Sequence, residues 1–393
     1  MIKREIYIEA VRGFYDSDLI KVITGIRRCG KSVILTQIKT EILQKSNNVL
    51  SLDFEDSANL REFGTEEKLI SFILNNKKKG LTYVFFDEVQ RVKNWAQVCR
   101  TLRLKDCSLF ISGSNSKLLS REFTKELSGR YVSFRIRPFV YKEALEYCTQ
   151  LSKSLSITDY LVWGGFPKRF EFSSDDARKY LNEINETIIL NDLINRYKIR
   201  KTEIFKNIAR FILISNARII SARAIEKSLN AQKIDCSIAT ITKYISYLEE
   251  AYAIEHIKQY SSKAKKELTF YAKMYNADVA LNSIHCIDSR YDLTHNLENI
   301  VYNELLYMQY NLKVFTINNK EIDFIAEKNG KKYFIQVAYS VADEKAYERE
   351  FAPFALLDNA NQKILITNDE LDYSTSTVRH IKLKDFLLMN DLE

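Results

Sequence analysis

Residues Gly25-Ile26-Arg27-Arg28-Cys29-Gly30-Lys31-Ser32 are spaced to hold phosphate. The two glycines let a tight turn aim its backbone N–H groups at phosphate oxygens. A helix opening at the lysine points its positive end at the same anion. In this spacing the lysine reaches the outer phosphates and the serine hydroxyl meets Mg2+. The candidate binding residues are therefore Gly25, Ile26, Arg27, Arg28, Cys29, Gly30, Lys31, Ser32 and Val33, with ATP and Mg2+ as ligands. An apolar strand before the loop and an apolar-periodic helix after it argue against a chance match.

A phosphate loop needs an acid at the end of a neighbouring strand, and "YVFFDEVQ" supplies two. Asp87 is expected to hold Mg2+ through its water shell, as a second metal residue beside Ser32. Glu88 is expected to polarise the attacking water as a general base. Alone, such a pair reads as two acids opening a loop; behind a strict phosphate loop it reads as the second half of a site. A further strand, "SLFISGSNS", carries Ser114 and Asn115 at its end, where they would sense phosphate or merely cap the next helix. Arg130, in "LSGRY", is the candidate arginine finger, from the same chain or from a neighbouring copy in a homo-oligomer, with Arg121, Arg135 and Arg137 as rivals.

These side chains need a frame. "KVITGI", "VLSLDF", "TYVFFDE" and "SLFISGS" are short, apolar and bounded by polar turns, the signature of buried parallel strands under helices. The pattern turns helical after about residue 141, and strands return after about 312. The expected fold is α/β: a P-loop parallel sheet with helices on both faces, then a helical region, then a small α/β end. Expected boundaries are 1–140, 141–203, 204–275 and 290–393.

With 393 residues the chain can bury two or three cores, and only 10 Gly and 3 Pro leave little for flexible linkers. Six scattered cysteines without a CxxC pair point to reduced thiols rather than a disulfide framework or zinc site. No apolar run has the length of a membrane span or a secretory signal, so a cytoplasmic protein is expected. A net charge of +8 permits nucleic-acid contact without establishing it.

Taken together, "DLIKVITGIRRCGKS", "FFDEVQ", "ISGSNSKLL", "LSGRY", "YLVWGGFP", "NKEIDFIA" and "IQVAYS" resemble the prokaryotic AAA-type ATPases that carry a conserved C-terminal domain of unknown function. The similarity covers nearly the whole chain. It implies an ATPase module, a winged-helix-like middle and a restriction-endonuclease-like end.

The residues of the middle agree with that order. "IFKNIARFILISN", "SARAIEKSL" capped by Ser221, and "IATITKYISYLEEA" capped by Ser237 read as three helices before a hairpin. Thr240, Thr242 and Lys243 on the third helix would face bases, and Lys263, Lys265 and Lys266 in the wing would face phosphates. DNA contact through 204–275 and 290–340 is one expectation. The acidic "YLEEA" favours the other, a nucleotide-dependent switch that docks a protein partner. In the last domain a working nuclease would need an acid followed by Glu-x-Lys. Asp323 is the acid, with Glu298 or Glu304 as a helix acid. Gln336 and Ala338 stand at the Glu and Lys positions; Lys331 or Lys345 could substitute from elsewhere, though nothing in the sequence demands it. Nuclease activity is therefore not expected.

Overall fold

Parallel neighbours in a sheet need a crossover between them, so a run of apolar strands separated by amphipathic helices can close only as a layered α/β unit. The computed structural model describes all residues except 1, 114–126, 128, 232, 261–271, 287–289, 318–319 and 359. The chain forms two units: Met1–Arg137 with Glu250–Tyr252, and Pro138–Glu249 with Ala253–Glu393.

The first unit holds β1 (Ile20–Thr24), β2 (Val49–Asp53), β3 (Thr82–Asp87), β4 (Cys107–Gly113) and β5 (Tyr131–Arg135) in the order β2-β3-β4-β1-β5. Every neighbouring pair is parallel. Helices α1 (Glu5–Arg12), α2 (Lys31–Leu43), α3 (Ser57–Phe63), α4 (Glu66–Asn76) and α5 (Trp95–Arg103) flank the sheet. The central strands β1 and β4 are buried along their whole length, which is why they read as continuous apolar runs without alternation. Val22, Val84, Phe86 and Ile111 form the core with Val98, Cys99 and Leu102 of α5. One lysine lies in this core. Lys21 runs over the Phe110 ring at 4.6 Å, and its ammonium donates to Ser108 Oγ at 2.7 Å and Ser17 O at 3.2 Å. Burial pushes it down to about 7.

Register sets the level of each strand end. Asp53 pairs with Asp87, Phe86 with Ile111, and Thr24 with Gly113. The last residues of β2, β3, β4 and β1 thus lie along one edge, where open parallel sheets bind ligands.

The second unit begins with helices α6 (Tyr141–Gln150), α7 (Ile157–Trp163) and α8 (Ser174–Glu186). Its Gly164-Gly165 pair is a packing requirement. Gly165 N donates to Asp278 at 2.7 Å, and a Cβ on Gly164 would fall 1.8 Å from the same carboxylate. Then come α9 (Thr202–Ile214), β6 (Arg218–Ile219), α10 (Ala222–Ala231), α11 (Ile238–Glu250), β7 (Ile254–Tyr260) and β8 (Ala272–Asn276). Ser221 and Ser237 cap α10 and α11 through Ala224 N and Thr240 N. After α12 (Leu293–Tyr307) follow β9 (Asn311–Ile317), β10 (Lys320–Lys328), β11 (Lys331–Ala338), α13 (Glu344–Phe351), β12 (Gln362–Thr367) and β13 (Val378–Lys382). One sheet runs through both halves of this unit, in the order β13-β12-β11-β10-β9-β7-β8-β6. Tyr275 of β8 stacks on Tyr302 of α12 at 4.2 Å, and Asn276 N donates to Asn299 at 2.7 Å, so α12 ties β8 to the later strands.

Candidate active site

β1 ends at Thr24, and the loop from Gly25 to Gly30 leads into α2. Gly25 has φ +144 and a Cβ there would lie 2.2 Å from Ile136 O; Gly30 has φ +101. Both positions therefore suit glycine alone. No side chain caps α2 at Gly30, and its first turn carries no acid. Its leading N–H groups can thus meet an anion. Lys31 reaches back across the loop, its ammonium held by Gly25 O at 3.2 Å and Ile26 O at 3.1 Å. Ile26 and Cys29 are buried and anchor the turn, the latter donating its thiol to Ile136 O at 3.4 Å. Arg27 pairs with Glu55 at 3.6 Å, Arg28 is exposed in the left-handed region at φ 67, and Val33 is half-buried.

Opposite the loop, Asp87 Oδ1 accepts from Glu88 N at 3.1 Å and from the Ser112 hydroxyl. Glu88 sits at φ 50, a backbone region a non-glycine residue occupies at some cost, and Gln90 donates its amide to the Glu88 carboxylate. Ser32, Asp53 and Asp87 line one cleft of about 180 Å³. A hydroxyl and carboxylates on one wall are the hard oxygen donors that Mg2+ takes, so the residues present fit that ion.

Some expected residues lie elsewhere. Ser114 and Asn115 lie outside the described residues, as do Arg121, Lys263, Lys265 and Lys266. Arg130 stands at the other end of the sheet: its carbonyl accepts from Ile20 N, at the start of β1, at 3.0 Å. Five residues of strand, about 16 Å, separate it from the loop edge. Arg130 thus does not reach phosphate in its own chain. Arg135, which pairs with Thr24, and Arg137, one residue past Ile136 whose N–H donates to Thr24 O at 2.8 Å, stand at the loop end.

Three residues at this edge escape sequence reasoning. Arg4 is buried, with its guanidinium on Cys29 O at 3.1 Å and its backbone N–H on Gln37 at 3.2 Å. Ser112 and Gln90 orient the acids. Asp53 carries the signal that identified Asp87, an acid closing an apolar strand, and was legible in principle.

In the second unit, Glu298 of α12 and Asp323 of β10 come together, and Glu304 does not join them: it accepts from Tyr141 N at 2.8 Å. Between Glu298 and Asp323 lies the Lys273 ammonium, 2.6 Å from Glu298, 2.6 Å from Glu321 and 3.1 Å from Asp323. Burial alone would lower this lysine, but Asp323, Glu298 and Glu321 outweigh it and hold the ammonium above the usual lysine range. Gln336 turns aside to Glu350 at 2.8 Å, Lys331 pairs with Glu393 at 2.9 Å, and Lys345 is exposed.

Residues 17–145 match the AAA domain, 154–287 a domain of unknown function (DUF8612) and 294–386 another (DUF4143). An uncharacterized protein of Haemophilus influenzae is 33% identical over 378 residues, 93% of each chain. The chain belongs to this AAA-domain family. A second relative, an uncharacterized protein of Methanocaldococcus jannaschii, is 30% identical across 94% of this chain and 86% of that one. A Walker-type ATPase of Pyrococcus abyssi superposes with a TM-score of 0.51 at 15% identity, covering 73% of this chain and 96% of that one. That likeness is one of fold, and the AAA unit has the fold of a P-loop ATPase. No described helix is long and apolar enough to cross a membrane.

Proposed function

We propose that this AAA protein binds ATP with Mg2+ at the loop edge of its first unit and hydrolyses it. The observation that carries the reading is the register that brings Lys31, Ser32, Asp87 and Glu88 to one end of one parallel sheet. Gly25 to Ser32 cradle the phosphates with backbone N–H groups. Lys31 exchanges its two carbonyl partners for phosphate oxygens. Ser32 and Asp87 would hold Mg2+, which when bound neutralises charge on the phosphates. Glu88, oriented by Gln90, accepts the proton of the attacking water. ATP turnover measured on Lys31→Ala and Glu88→Gln tests this: the first should lose turnover, the second should keep binding and lose hydrolysis. Normal hydrolysis by Lys31→Ala would overturn it.

Nucleotide state, in this reading, controls contact with DNA through the middle region. The order α9, β6, α10, α11, β7, β8 resembles that of a winged helix, and Thr242 and Lys243 of α11 are exposed, as are Arg223 and Lys227 of α10. DNA binding that weakens steeply with salt supports it. The acidic end of α11, Glu249 and Glu250, favours the second reading, a protein partner. Copurification of a protein and no nucleic acid with Glu88→Gln would select that one.

A further inference from the structure

The resemblance to restriction-endonuclease-like domains implies a divalent cation between Asp323 and a helix acid. The residues do not fit one. Asp323 lies within a bulge in the pairing of β10 with β9, between Ile322 and Ile325, which re-aims its side chain. One of its oxygens accepts Val337 N at 2.9 Å; the other meets Lys273. Glu298, on α12, accepts Tyr275 O–H at 2.6 Å beside the same ammonium. Lys273 comes from β8, three strand spacings from β10, about 14 Å in a flat sheet. The lysine side chain nonetheless reaches the acids. Its three N–H bonds meet three carboxylates. Among the described residues no group of three His, Cys, Asp or Glu side chains is placed to hold a metal ion.

We propose that Lys273 is a tethered cation standing where a nuclease of this fold would hold its metal ion, so that the last domain is locked to β8 rather than armed for cutting. Gln336 and Ala338 remove the remaining groups of such a site. The lock gives the three acids a resident partner in a module that lacks the rest of the chemistry.

The test is Mn2+ binding to nucleotide-free, full-length protein carrying Asp87→Asn, which removes the acid of the phosphate-loop site. With Lys273 intact, no Mn2+ binding should depend on Asp323. Lys273→Ala should gain Mn2+ affinity by about tenfold or more, a gain that Asp323→Asn abolishes, and its lowered Tm should recover in part on adding Mn2+. Should Lys273→Ala not fold, Lys273→Met with Glu298→Gln removes ammonium and one acid together, and an Asp323-dependent Mn2+ gain is expected there too. Asp323-dependent Mn2+ binding or DNA nicking by the chain with Lys273 intact would overturn the proposal. So would a folded variant lacking the ammonium that gains no Mn2+ affinity.

Discussion

The phosphate-loop unit and the acid cluster of the second unit bury lysines against opposite kinds of partner. In the AAA unit Lys21 faces a hydroxyl, a carbonyl and a ring, and Lys31 faces two loop carbonyls. In the second unit Lys273 faces three carboxylates. Neutral oxygens satisfy the N–H bonds of an ammonium without cancelling its charge, so Lys31 keeps its attraction for phosphate. Carboxylates cancel the ammonium's charge, and no positive charge is left there to attract an anion. Lys21 and Lys273 show the same contrast in their protonation. Burial lowers the first to about 7, while the second, no less enclosed, is held above the usual range by its acids. An acid at a motif position in a sequence therefore does not by itself mark a reactive site; its nearest cation decides.

The largest expected effect is at the uncancelled lysine. Glu88→Gln should lower kcat by about 10²–10⁴-fold with nucleotide affinity retained, and Lys31→Ala should lose at least as much. If both variants kept wild-type kcat in a steady-state assay, the contrast between the units would be broken. Next comes the cancelled lysine. Lys273→Ala leaves buried acids without a cation and should destabilise the second unit by about 3–5 kcal/mol in denaturant melts. An unchanged midpoint would mean that the carboxylates do not depend on the ammonium.

Glu304 sharpens the comparison, because it is buried in the same unit with a backbone N–H on one oxygen and no hydrogen-bond partner for the other among the described residues. Burial pushes it up to about 8. A carboxyl raised in the folded state gives stability that is complete below its unfolded value and lost as pH rises through the folded one. Wild-type stability should therefore fall between pH 4.5 and about 8, and Glu304→Gln, which mimics the neutral acid, should flatten that slope. The smallest effect is expected at Lys21. Its lowered folded value means stability that rises with pH from about 7 toward the ordinary lysine value of 10.5. Lys21→Met should erase that rise and change stability near neutrality by no more than about 1 kcal/mol. A loss several times larger would mean that the Ser108 bond matters more than the desolvation it accompanies.

The phosphate loop and its acids were legible because their chemistry is written locally. A turn needs its glycines, a lysine follows them, and a buried strand ends in Asp87. Strands β1 to β4 of the AAA unit were legible for the same reason, as were the Ser221 and Ser237 caps, while β5 was not read as a strand. Arg130 misled because "SGRY" resembles a finger motif while its distance from the loop depends on which end of β5 pairs with which end of β1. Arg4 gave no signal, since it meets Cys29 only through the packing of the chain's first segment on α2. Lys273 was passed over for Lys263, Lys265 and Lys266, which cluster in sequence. A single lysine in a strand buried on both sides carries no periodic mark.

By itself the sequence determined the family, the parallel sheet and a loop able to hold phosphate, because each depends on residues close together along the chain. Only the tertiary structure decided which charges meet: Asp87 with Ser112, Arg4 with Cys29, and Lys273 with Glu298, Glu321 and Asp323. Charge pairing depends on distances of a few ångströms between segments far apart in sequence, and those are set by sheet order and register.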